Sequence, residues 1–428
     1  MPEATQNAPL ARSVGLAQGV AFYIGAIVGA GILVLPGITV SIAGPAAILG
    51  WLIDLVATTP IAFTFAALAI RYPDAGGVAT FSRRAFGDVW GSTIGWFLLV
   101  ASIVGQTILA LTGAHYLGDA LGLGYGGRLA LAAFTLIAAA SLNLRGLAAS
   151  GRVQFALSVT VVATITLAIV AGAAKARTDA WAPFAPHGLI AVGQVAILAY
   201  VACFGWEVVT QLAAEFRDPG RDIARATLIS VALITLLYAG LVAVTIGTGI
   251  AGGTAAGRVA VARLYTLAFG LRVGQLVGLI GFLIAMGALN TYVAATSRLA
   301  YALARDRDLP AALAVLTGGV PARAATAVAG ASGLVLLASA VTSMDVESLF
   351  VVPSVLALAA NVVAMAAGCV LLRGWPRLVA LSGLAVCTLL LPFAAAGAAI
   401  PVVVAAAALG YRRRRGHGDH LSRGRRRA

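Results

Sequence analysis

The chain has 428 residues, 61% of them hydrophobic and only 10% charged, against roughly 25% charged in a soluble domain. Its 15 acidic and 29 basic residues cluster between long apolar runs, each about the 17–25 residues that cross a bilayer as a helix. A soluble globular protein is excluded, and an all-α polytopic membrane protein of the plasma (inner) membrane is expected.

In chain order, residues 1–14 read as a polar cytoplasmic N-terminus with no cleavable signal. Twelve transmembrane helices follow at roughly 15–37, 44–70, 89–117, 124–142, 151–173, 191–212, 226–250, 273–300, 322–342, 346–371, 377–391 and 395–411. The final pair is the least marked, because only 35 residues separate Arg377 from Arg412; a turn near Pro392 fits two short spans. With the N-terminus inside, 23 positive charges fall on inner segments and six on outer ones. Cytoplasmic enrichment of Lys and Arg sets orientation, so both termini are expected to be cytoplasmic. The basic tail 412–428 fits anionic membrane lipids better than nucleic acid, at about 1 kcal/mol per basic residue near the surface.

The first span contradicts itself. "YIGAIVGAGILVLPG" (23–37) is apolar, yet Gly25, Gly29 and Gly31 crowd its middle and Pro36 lies near its end. Glycine costs about 1 kcal/mol against alanine inside a helix. A second apolar segment, "AILAYVACFGWEVVTQLAAEF" (196–216), is interrupted by Gly205 and carries Glu207. About five spans separate the starts of the two segments, an odd number, so the second enters from the opposite face. Paired interrupted helices in opposed halves point to an inverted-repeat transporter whose substrate binds where the helices unwind. Freed backbone groups at that depth are tolerated only where they line a cavity or meet a ligand. Taken alone, Gly25 and Gly29 fit equally the small-residue signature of a close helix crossing.

For an amino acid, the substrate class that the resemblance described below implies, the ends of the two half-helices would offer backbone groups. Unpaired N–H groups near Gly29–Gly31 would face its carboxylate, while carbonyls near Gly25–Ile27 and Val201–Cys203 would face its ammonium group. No fixed charge stands beside Cys203 or Phe204, which favours a neutral, apolar side chain. Asp54 and Glu207 are carboxylates at membrane depth, where a charge costs several kcal/mol or is neutralised. Both are proton-coupling candidates, and an interhelical hydrogen bond is the alternative for each. Gln106, Asn290 and Ser354 could face the cavity or bond between helices. The three cysteines, Cys203, Cys369 and Cys387, lie in apolar runs without metal spacing. No metal cluster or nucleophile with a base lies at membrane depth, so no enzyme activity and no cofactor are expected.

"GAIVGAGILVLPG", "PDAGGVATFSRRAFG" (73–87), "NLRGLAASGRVQ" (143–154), "FGWEVVTQLAAEFRDPGRDIARA" (204–226) and "NTYVAATSRLAYALARDRDLP" (290–310) occur in that order. Together they resemble the amino acid–polyamine–organocation (APC) transporter superfamily, over about three-quarters of the chain. The resemblance implies a five-plus-five inverted repeat of the LeuT type, residues 15–173 and 191–371, with helices 1 and 6 unwound mid-membrane and two added helices within 377–411. It implies alternating-access transport of amino acids, with substrate at Ala26, Ile27, Gly29, Ala30, Gly31, Ala202, Cys203, Phe204 and Trp206, joined by Asn290. Within the superfamily the chain is most similar to bacterial exporters of neutral, hydrophobic amino acids such as methionine and the branched-chain ones. Some proton-coupled members carry a lysine in helix 5 in place of sodium; here Val161 stands at that position, with Ser158 and Thr160 as neutral oxygens nearby. A proton-coupled exporter or exchanger is expected, with a proton- or sodium-driven importer and a non-transporting amino-acid sensor on the same fold as alternatives; a monomer and a homodimer both stay open. Arg83 and Arg84 are expected to pair with acids of "EFRDPGRDIARA" at an inner gate.

Overall fold

In the computed structural model the described residues are 10–29, 31–202, 205–250, 260–269, 274–342, 346–392 and 397–425. Ala30, Cys203 and Phe204, three of the expected substrate positions, lie outside them. The described regular structure is helical apart from two isolated β-bridges, as lipid demands of a chain that must satisfy its backbone internally. The α-helices are α1 (Leu16–Ile27), α2 (Gly31–Ala43), α3 (Ala47–Arg71), α4 (Val78–Phe86), α5 (Asp88–Ala120), α6 (Tyr125–Leu144) and α7 (Leu147–Ala173). After these come α8 (Gly188–Ala202), α9 (Pro219–Gly247), α10 (Ala260–Phe269), α11 (Gly274–Arg305), α12 (Ala322–Thr342), α13 (Val346–Leu371), α14 (Trp375–Leu390) and α15 (Ala399–Arg425).

Among the described residues, eight helical runs are long and apolar enough to cross a membrane, and shorter apolar helices cover Leu16–Ile27, Gly188–Tyr200 and Trp375–Leu390. In the segment expected as the first span, helix is described at Leu16–Ile27 and again from Gly31; in the sixth, helix ends at Ala202 and residues 205–207 form a turn. α4 and α10 are helices where loops were expected, and α15 runs past the expected end of the last span as far as Arg425. Ahead of Pro60, the hydroxyls of Thr58 and Thr59 donate to the carbonyls of Asp54 and Leu55 in their own helix; the carbonyl that loses its helical donor to the pyrrolidine ring is that of Val56.

The expected pairing of Arg83 with the acids after Glu207 is corrected. Arg83 Nη2 lies 2.5 Å from Asp308 Oδ2 and 3.5 Å from Asp306, and its Nη1 lies 3.3 Å from Asp88. Arg412 of α15 joins the same cluster, 3.7 Å from Asp308. Arg84 instead stacks over the Tyr72 ring at 4.6 Å. The reason is geometric: α4 packs on the start of α5 and meets the C-terminal end of α11, where "RDRD" supplies the nearest carboxylates. One turn away, Arg305 grips Asp74 with two bonds of 2.9 and 3.0 Å. Burial alone would raise the Asp74 carboxyl, but the bonds and charge of Arg305, with the Thr80 hydroxyl, hold it below the usual carboxylate range. Arg83→Ala should lower stability by about 1.5–3 kcal/mol, the usual worth of a hydrogen bond to a charged group. Arg84→Ala should cost about 1 kcal/mol or less. Thermal unfolding of the two variants in detergent measures the difference.

Candidate substrate site

α1 ends by a tight turn. Val28, at φ −80° and ψ 64°, has the backbone of an inverse γ-turn, and Gly29 N donates to Ile27 O at 2.9 Å. A continuing helix would have used that N–H for Gly25 O. Helix resumes at Gly31, where Ile32 N donates to Gly29 O. The second interruption follows α8: residues 205–207 form a turn, and Val208–Glu215 wind as a 3-10 helix.

The two interruptions meet. Gly205 has φ +126°, and a Cβ there would stand 2.8 Å from Ala26 O and 3.2 Å from Ala26 Cβ. Only glycine allows both this backbone and this approach. Gly205 N donates to Glu207 Oε2 at 3.2 Å, and Glu207 is 5% exposed. Trp206, buried beside it, packs on Tyr23 of α1 with ring centroids 5.6 Å apart. The Trp206 indole N–H has no hydrogen-bond partner among the described residues, a buried donor that a bound group would satisfy. On the other side, Tyr238 of α9 donates its hydroxyl to Ile27 O at 3.3 Å and stacks on Trp51 of α3. By contrast, a Cβ at Gly29 would meet no atom of the described residues within 4 Å.

Ala26, Ile27, Gly29, Trp206 and Glu207 therefore come together, with Gly31 and Ala202 as the flanking helix ends. Asn290 does not join them. It is fully buried, donating to Gln154 Oε1 and accepting from Asn143 Nδ2 and Ser150 Oγ, each at 3.0 Å, so its amide is committed to a network between helices. Gln106 is used in the same way by Thr296 and Ser332. Ser354 bonds its own helix at Phe350 O. Asp54 is buried on α3, and the Tyr200 hydroxyl near the end of α8 lies 3.7 Å from Cys387 Sγ. Near the fifth span's expected lysine position, Val161 is buried and Ser158 donates to Ala21 O at 2.9 Å. Thr160 is exposed and bonded within its own helix, so it offers no oxygen to the interior. An apolar groove of about 640 Å³ between α1 and α7 lies beside this region and is not lined by the interruption.

Tyr23, Tyr238 and Gln154 were not singled out by the sequence. Mid-span tyrosines and a glutamine in an apolar run were the available signal, since buried polar tips must find partners. Arg298, one of the 23 positive charges counted on inner segments although it falls within the expected span 273–300, is fully buried against Glu215.

A bundle of apolar helices of membrane-crossing length defines a multi-pass membrane protein. The amino acid permease profile matches residues 14–416. The chain belongs to the amino acid permease family of the APC superfamily, and with it among transporters rather than enzymes. It is 31% identical over 414 residues to the amino acid permease YecA of Bacillus subtilis, covering 95% of this chain and 97% of the relative. The L-methionine/branched-chain amino acid exporter YjeH of Escherichia coli is 30% identical over 386 residues, 89% and 91% of the two chains. The branched-chain amino acid permease BcaP of B. subtilis is 28% identical over 256 residues, 56% of this chain and 55% of the relative.

Proposed function

We propose that the chain is a secondary active transporter of neutral, hydrophobic L-amino acids in the plasma membrane, a proton-coupled exporter or exchanger with both termini cytoplasmic. Its twelve spans form a five-plus-five inverted repeat with two added helices, and the first and sixth unwind at the substrate. The observation that carries this is the contact of Gly205 with Ala26 O, which brings the two helix interruptions and Glu207 to one place. The substrate carboxylate is assigned to the N–H groups that follow Gly29, whose own N–H is taken by Ile27 O, and its ammonium to the carbonyls of Gly25–Ile27. Tyr23, Trp206, Trp51 and Tyr238 supply an aromatic wall, and Glu207 is the charged side chain described beside it. That environment suits methionine, leucine or isoleucine, in keeping with the substrates that the names of YjeH and BcaP give.

Glu207 is the proton-coupling group in this reading, because protonation would neutralise a buried carboxylate whose one described partner is the Gly205 N–H. Asp54 is the second candidate. The test is flux of labelled methionine and leucine in proteoliposomes, with pH and sodium gradients imposed separately. A pH gradient should drive flux, a sodium gradient should not, and Glu207→Gln should remove the pH response. No flux of either amino acid under any gradient overturns the reading.

A further inference from the structure

We infer that Gln154 is a positioning residue for the substrate site, a neutral amide pin that fixes the inner half of α1 against α7 and α11. The inference rests on Ala26 and Ile27 contributing the substrate's ammonium site.

Gln154 is fully buried on α7 and faces α1 at the turn below its end. Its Nε2 donates to Ala21 O at 3.2 Å and to Ser158 Oγ at 3.3 Å, while Ser158 Oγ donates to the same carbonyl. Its Oε1 accepts from Asn290 Nδ2 of α11. Asn290 is held in turn by Asn143 of α6 and Ser150 of α7. The chain of bonds thus starts at the backbone of α1 and ends on three other helices, with every side chain in it buried.

Gly25 is what admits the pin. A Cβ at Gly25 would collide with Gln154 Nε2 and stand 2.5 Å from Thr291 Oγ1. The glycine is therefore neither a general weakness of the helix nor a generic crossing contact; its missing side chain is the seat of the amide. Two oxygens, Ala21 O and Ser158 Oγ, converge on the amide nitrogen. A primary amide supplies N–H groups there without a charge, which an interior site in lipid favours. Ala26, whose carbonyl touches Gly205, directly follows Gly25. Freeing α1 at this turn displaces the carbonyls that face the substrate without removing any group that touches it.

The test is the dissociation constant for methionine of the purified full chain, measured beside flux in proteoliposomes. Gln154→Leu keeps the volume and removes the bonds; Gly25→Ala evicts the amide. Each should weaken binding about tenfold through a smaller competent population, and the double variant should also lose about tenfold instead of about a hundredfold. Thr160→Val, on the exposed face of the same helix, should bind as the parent does. A role in folding alone would lower the yield of folded protein and leave its affinity unchanged. If Gln154→Leu does not fold, Ser158→Ala removes one bond to Ala21 O and should weaken binding about threefold. Parental affinity in the folded variants, or multiplicative losses in the double variant, overturns the pin. Weakened binding in the variants of a chain that shows no flux under any gradient leaves the pin standing and removes the transport reading.

Discussion

Gly29→Leu should abolish amino acid flux and leave the protein folded, whereas Gly205→Ala should abolish flux and also lower stability. The two glycines look alike in the sequence and differ in their surroundings. At Gly29 an added Cβ would meet no atom of the described residues within 4 Å. The leucine therefore strains no neighbour and occupies the volume in front of the freed N–H groups. A displacement of about 1 Å in such a site costs on the order of a hundredfold in rate, and a four-carbon obstruction costs more. At Gly205 an added Cβ meets Ala26 O at 2.8 Å, in a backbone of φ +126°. Strain of about 1–3 kcal/mol follows from that conformation alone, and the steric clash pushes the two interruptions apart. Flux in proteoliposomes, together with monodispersity and thermal unfolding of the same preparations, separates the outcomes. Wild-type flux in Gly29→Leu would mean that the open face of the interruption is not the substrate site.

The membrane class and most span positions were legible because they depend on hydrophobic length, which survives without tertiary detail. The span expected at 322–342 is the helix Ala322–Thr342, and the one at 346–371 is Val346–Leu371. The interruptions were legible too, since glycine in a lipid helix is costly enough to need a reason. What local pattern could not give was partner choice. Arg83 and Arg298 both sit beside carboxylates in space, but each was matched by sequence to the wrong surroundings. Arg83 was assigned to the acids after Glu207 and pairs with Asp308, 225 residues away. Arg298 was counted with the inner-segment charges because a basic residue near a span end ordinarily snorkels to water. Asn290 shows the same limit from the other side: a polar residue in an apolar helix fits a ligand contact until Asn143, Ser150 and Gln154 are found to satisfy it. Composition carries the solvent of each residue, and only the packed bundle carries its neighbour.

Arg298→Ala should be among the most destabilising single changes in the chain, by about 3–5 kcal/mol, because it leaves Glu215 as an uncompensated buried charge. Arg298 is 0% exposed; its Nε lies 2.7 Å from Glu215 Oε1, and its Nη1 donates to Ser297 Oγ at 3.0 Å. Glu215 in turn organises the chain entering α1. Its backbone carbonyl accepts from Ser13 N and Val14 N, both at 3.0 Å, and Arg217 N returns a bond to Val14 O. The pair therefore ties α11 to the end of the 3-10 helix, and through it to the segment that leads into the first interrupted helix. A buried pair of this kind is a weak contributor to stability when compared with an apolar replacement of both partners, and a strong one when only one partner is lost. Arg298→Met combined with Glu215→Met should accordingly unfold at a higher temperature than either single variant in the same detergent. Because the backbone bonds of residue 215 do not need its carboxylate, that double variant should keep the Val14 clamp. A double variant less stable than both singles would show that the ion pair, rather than the avoidance of a lone buried charge, sets the stability of this junction.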